Sequence, residues 1–149
     1  MPNFWLLSAG KDGELWPAFW TKKKIAIGWS GLGNLGGLET RDQLNGLYRQ
    51  TFAEDTPGQV RTAVTHTWNF YKGVNVGDVV FVRLYAHLIG IAVVAGDYEF
   101  LREGDPLRNT FYSPFFGEKF WHVRAVQWLS LGGGLKQPLT LTRLTLMPH

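Results

Sequence analysis

The chain has 149 residues, 45% of them apolar, which is the size of one domain with one ordinary core. It has no cysteine, and this excludes a disulfide framework, a cysteine zinc site and a thiol nucleophile. Aromatic residues make up 15% and the net charge is +3, with a pI near 9.3; that balance suits a module gripping a few nucleotides better than a long electrostatic groove.

In chain order, "NFWLLSAG" predicts a short buried strand over Asn3 to Ser8, closed by Gly10. In "KDGELWPAFWTKKK", Asp12 is placed to cap a short helix, with Pro17 in its first turns and Trp16 and Phe19 on one face. "IAIG" reads as a second strand that runs into Trp29 and the glycine-rich loop "WSGLGNLGGL", expected to give flexible access to a site. Two helices follow. Thr40 is an N-cap ahead of a face of Leu44, Leu47, Tyr48 and Phe52. Thr56 caps the next, Pro57 takes its first position, Val60, Ala63, Val64, Thr67, Trp68 and Tyr71 form its stripe, and Gly73 ends it.

The remainder reads as β. "VGDVVFVRL" and "AHLIGIAVVAGDYEF" form a hairpin turning near Tyr85 and Ala86. "FWHVRAVQWL" alternates, with His122, Arg124, Val126 and Trp128 on one face, and "LTLTRLTLM" alternates likewise. Trp5, Phe19, Trp20, Trp68, Phe81 and Trp128 are the expected core aromatics. These elements add up to an α+β domain on a small curved sheet or partial barrel. The apolar runs are too short to cross a bilayer and no secretory leader is recognisable, so a soluble, cytoplasmic protein is expected.

The sequence offers catalysis little. His66, His87, His122 and His149 are dispersed and read as solvated or partner-satisfied. Gly31, Gly33, Gly36 and Gly37 fit neither phosphate-loop spacing. Asp97 and Glu99 share a side, but no Glu-x-Lys follows them; they read as an exposed strand end, with Asp97 available to accept a hydrogen bond from a ligand. No catalytic residue, metal ligand or cofactor is expected.

Aromatic residues off the faces of elements point instead to a base-binding pocket. Its candidate walls are Trp29 beyond the second strand, Trp16 in the first helix, Tyr98 after the hairpin, and Phe115 and Phe116 in "TFYSPFF". Lys22, Lys23 and Lys24 read plainly as a solvated helix end, and Arg83, Lys119 and Arg124 as surface charge. A nucleic-acid pocket would need a basic rim, and the lysine run leads toward Trp29.

Taken in order, "FWLLSAGKDGELWPAFWTKKKIAIGWSGLGNL", "VNVGDVVFVR", "LIGIAVVAGDYEF" and "HVRAVQWL" resemble the EVE-type branch of the PUA-like superfamily, over roughly residues 3–130. More narrowly they resemble the N-terminal recognition domains of McrB-type modification-dependent restriction proteins. The resemblance implies one PUA-like mixed β-barrel flanked by helices over residues 1–149. It implies a non-catalytic module that binds double-stranded DNA and flips a modified base, N6-methyladenine or 5-methylcytosine, into an aromatic pocket. Nuclease and NTPase activities would reside in other domains or subunits of a restriction system. In the related YTH readers of RNA a cage tryptophan follows a strand, and Trp29-Ser30 matches that position. Phe115 or Phe116 is the nearest match to the second wall, a phenylalanine where the family has tryptophan. Lys11 and Asp12 correspond loosely to positions near the base edge or backbone. An RNA reader of the same superfamily is the alternative; a hydrolase and a protein-interaction domain are the readings from other classes.

Overall fold

The computed structural model describes residues 2–114, 116–129 and 139–140. The strands are β1 (Phe4–Ser8), β2 (Lys24–Ile27), β3 (Val79–Leu84), β4 (His87–Val94), β5 (Glu99–Phe100), β6 (Tyr112–Ser113), β7 (Glu118–Lys119), β8 (His122–Trp128) and β9 (Leu139–Thr140). The helices are α1 (Trp16–Lys22), α2 (Arg41–Thr51), α3 (Pro57–Trp68) and the single turn α4 (Leu107–Thr110). The fold is α+β. Its main sheet runs β1-β3-β4-β8-β2 and curls into a half-barrel, with β5 added to β8 and β9 to β4. Of the alternating segment predicted near the C-terminus, Leu139–Thr140 pairs with His87 and Leu88; the rest lies outside the described residues.

β1 pairs parallel to β3, Phe4 opposite Val79 through Ser8 opposite Arg83, while the other pairings are antiparallel. Asp78 fixes this parallel register. Its buried carboxylate accepts the backbone N–H of Asn3 at 3.0 Å, the indole N–H of Trp5 at 2.9 Å and the backbone N–H of Asn75 at 2.9 Å. Three donors on one carboxylate compensate its removal from water.

The two central helices form as their sequence predicts. Thr40 with Gln43, and Thr56 with Gln59, each close a reciprocal capping box. Leu44, Tyr48, Val60, Ala63 and Val64 pack into a helix-layer core that also takes Leu32 and Leu35. The glycine-rich loop is therefore anchored rather than free: Leu35 is fully buried and Ser30–Leu32 forms a 3-10 turn. Beyond Trp68 the helix widens into one π-turn, Asn69–Gly73.

Two expectations need correction. Asp12 does not cap α1. It sits in a left-handed turn at φ 59° and accepts the Tyr85 hydroxyl at 2.7 Å. α1 starts without a side-chain cap, and Pro17 in its first turn removes one of the N–H groups a cap would serve. Trp20 is not core: it is 52% exposed at the edge of a cluster with Trp16 and Trp128, whereas Phe19, one position back, is fully buried. Trp5, Trp68, Phe81 and Trp128 are half-buried. Among the described residues, no helix is long and apolar enough to cross a membrane.

Candidate functional site

β1 and β2 end the curled sheet, and the curl brings these two edges together without pairing them. The gap is a cavity of about 450 Å3. Trp5 to Ser8 on one side and Ile25 to Gly28 on the other line it residue after residue, so strand edges rather than side-chain faces form its long walls. Asn69, Phe70 and Val74, from the π-turn and just beyond it, line it further, as do Trp29, His66 and Phe120. Lys11, Arg83 and Glu118 bring its charge. A second cavity of about 420 Å3 shares Gly28, Trp29, Glu118 and Phe120 with the first, and adds Ser30, Gly31, Phe52, Gly117 and Lys119. Each volume falls within the roughly 300–1,000 Å3 of small-molecule sites.

Trp29 stands where the two cavities meet, and its backbone explains why it stays there. The residue is left-handed at φ 61°, a conformation unfavourable for a bulky side chain by about 1–2 kcal/mol. Several contacts hold it. Its carbonyl accepts His122 Nε2 at 3.0 Å and the Leu32 N–H at 3.1 Å. Its ring meets His66 edge-on at 6.1 Å and packs against both apolar cores. A carbonyl only accepts, so Nε2 of His122 carries the proton and Nδ1 is the acceptor. The Tyr98 hydroxyl fills that acceptor at 2.7 Å, and its oxygen in turn accepts the Leu35 N–H at 3.1 Å. One neutral chain thus ties Trp29 and Leu35 of the glycine loop to β8. Burial holds His122 down to about 4 and pushes the Tyr98 phenol up, so neither group is charged near neutral pH.

The candidate residues divide. Trp29, Lys11 and Arg83 line the first cavity, and Trp29, Ser30 and Lys119 the second. Phe116 is exposed beneath the Lys11 ammonium, 4.4 Å from its ring centre, and lines neither. Phe115 lies outside the described residues. The Ser30 hydroxyl is already committed: it donates to the Lys119 carbonyl at 2.6 Å and accepts the Trp121 N–H at 2.9 Å, tying the loop to the end of β7 and the connection into β8 rather than offering itself to a base. Lys119 lies over the Trp121 ring at 4.9 Å.

The other candidates stand elsewhere. Trp16 packs on Trp128 and fills the space over Gly90. Tyr98 is spent in the His122 chain and packs on Tyr71, and Asp97 is an exposed residue whose charge faces Arg124. Lys22, Lys23 and Lys24 form the helix end and the start of β2, with Lys24 3.7 Å from Glu99; none of them reaches either cavity. Arg124 is the clearest correction. It is 2% exposed, and its guanidinium donates to the carbonyls of Phe70 (3.1 Å), Val74 (2.7 Å) and Gly96 (3.2 and 3.1 Å). It braces the π-turn from inside and cannot meet a phosphate. Its alternation with His122 and Val126 marked an inward face, and that was the signal for burial.

Trp5, Asn69, Phe70, His66, Phe120 and Glu118 line the first cavity without having been singled out as site residues. Only the pairing of β1 with β3 places Trp5 opposite β2, and no local pattern announces a π-turn after Trp68. No curated protein matches the sequence. The family model described as "Domain of unknown function (DUF8426)" matches residues 5–145, and the chain belongs to that family.

Proposed function

We propose that this domain is a PUA-like reader of modified DNA, which takes an N6-methyladenine or 5-methylcytosine, flipped out of the duplex, into the cavity between β1 and β2. The observation that carries the reading is Trp29: a tryptophan held in a left-handed conformation at the lip of a 450 Å3 cavity, with Lys11 and Arg83 also lining it. A base stacked on such a ring gains roughly 1–3 kcal/mol. The methyl group of a modified base, removed from water among rings, adds on the order of 0.8 kcal/mol. The two cations suit the phosphates flanking a flipped nucleotide. The domain acts as the targeting part of a cytoplasmic restriction system, with cleavage and NTP hydrolysis in other domains or subunits.

The test is fluorescence anisotropy at fixed low salt with matched duplexes, unmodified or carrying one of the two modified bases, and with RNA of the same sequence. Preference for one modified DNA, lost in Trp29→Ala and partly kept in Trp29→Phe, is expected. A preference for the RNA moves the assignment to the RNA readers. Equal binding to all probes, unchanged in Trp29→Ala, refutes the reading.

A further inference from the structure

Among the described residues, Glu118 is the only carboxylate lining either cavity, and it lines both. Among the described residues its side chain enters no hydrogen bond and no ion pair. This is notable because two cations line the same cavity. Lys11 lies over Phe116 instead, and Arg83 Nε is 3.4 Å from Ser8 Oγ. The backbone holds Glu118 in place: β7 pairs it with Ser113, whose buried hydroxyl accepts the Phe116 N–H at 3.2 Å.

An ionised carboxylate only accepts hydrogen bonds and repels phosphate. At a mouth that faces a phosphodiester backbone it is unfavourable unless it meets the edge of the base. An exocyclic amine, such as N4 of cytosine or N6 of adenine, presents an N–H there; a keto oxygen at the same position presents lone pairs. We infer that Glu118 is a specificity-determining residue, accepting a hydrogen bond from the exocyclic amine of the captured base and rejecting its keto counterpart. The inference rests on the reading of the cavity as a base pocket and narrows it to amino-bearing bases.

5-Methylcytosine and thymine carry the same methyl group and differ only along one edge, in the 4-amino or 4-keto group and in N3 beside it, so they test the edge assigned to Glu118. For purines adenine and hypoxanthine make that comparison, with N6-methyladenine measured beside adenine to separate the contribution of the methyl group. Each base is placed opposite an abasic site, which removes differences in pairing energy, and binding is measured for wild type, Glu118→Gln, Glu118→Ala and Trp29→Ala. Wild type is expected to favour the amino member of one pair by about tenfold. Glu118→Gln, whose amide also donates, should bring that ratio toward one chiefly by tightening binding of the keto base. Glu118→Ala should lose affinity for the amino base. Trp29-dependent binding with no amino preference, or with a preference that Glu118→Gln leaves intact, overturns the inference while the base-pocket reading stands. Absence of Trp29-dependent binding to every probe overturns both.

Discussion

The Tyr98 hydroxyl donates to Nδ1 of His122 across 2.7 Å, in the tautomer that the Trp29 carbonyl, an obligate acceptor 3.0 Å from Nε2, dictates. The loop that carries Trp29 is thereby fixed by two side chains that lie on neither side of the cavity.

Acid should weaken the fold through this histidine. Unfolded, His122 takes up a proton as the pH falls through about 6.5; folded, it does so only near 4, because burial disfavours its charge. Its contribution is constant above pH 7, is lost between 6.5 and 4, and amounts to about 3 kcal/mol in all. Urea unfolding at pH 7 and pH 4 should show wild type losing about that much more stability than His122→Gln. Parallel pH profiles would show that the buried imidazole is not the titrating group.

At position 29, glycine should outperform alanine. Both remove the ring, but only glycine accepts φ 61° without strain. Trp29→Gly is expected to unfold at a higher denaturant midpoint than Trp29→Ala, by about 1 kcal/mol. The reverse order would mean that the left-handed backbone relaxes once the ring is gone.

Arg124 is a brace and should behave as one. Arg124→Met leaves the carbonyls of Phe70, Val74 and Gly96 without their donors, a loss of about 3 kcal/mol or more. Arg124→Lys should rescue little, since one ammonium cannot span both groups of acceptors. Equilibrium denaturation of the two variants decides this; a lysine variant as stable as wild type would exclude it.

Gly90 is required by Trp16. A Cβ there would lie 2.4 Å from one Trp16 ring carbon and 3.0 Å from a Trp128 ring carbon. Gly90→Ala should be destabilised by about 1–3 kcal/mol through overpacking. Combining it with Trp16→Leu should recover part of that loss in thermal unfolding, and strict additivity would place the clash elsewhere.

If Lys11 and Arg83 meet phosphates, replacing either by alanine should weaken DNA binding about equally for every base. It should also reduce the slope of log affinity against log salt by about one. A change that depends on the base would assign them to the base edge instead.

The sequence made the local elements readable because their signals are local. Thr40 and Thr56 announce their helices through a cap and a glutamine three residues on. That Trp29 lines a cavity was legible because a large ring after a strand, beside glycines, has no element face to occupy. Arg124 misled because charge usually marks surface, and only the nearby carbonyls of the π-turn, Val74 and Gly96 make its burial favourable. The cavity itself was not legible: its walls are edges of strands that meet through curvature, and their neighbours in space lie far away in sequence.

Both long walls depend on distant partners. Phe4 pairs with Val79, 75 positions on, and Lys24 with Ala125, 101 positions on. Closing such loops is slow, whereas α2 and α3 are contiguous and form from nearby contacts. The folding order therefore places the helical layer early and the two edge strands late, and a chain caught before the last step presents two unpaired edges at once, the usual route to aggregation. A ligand in the gap touches both late segments and recognises only the finished chain. Occupancy and completion of folding then form one linked equilibrium, in which a ligand at a hundred times its Kd adds about 2.7 kcal/mol to stability.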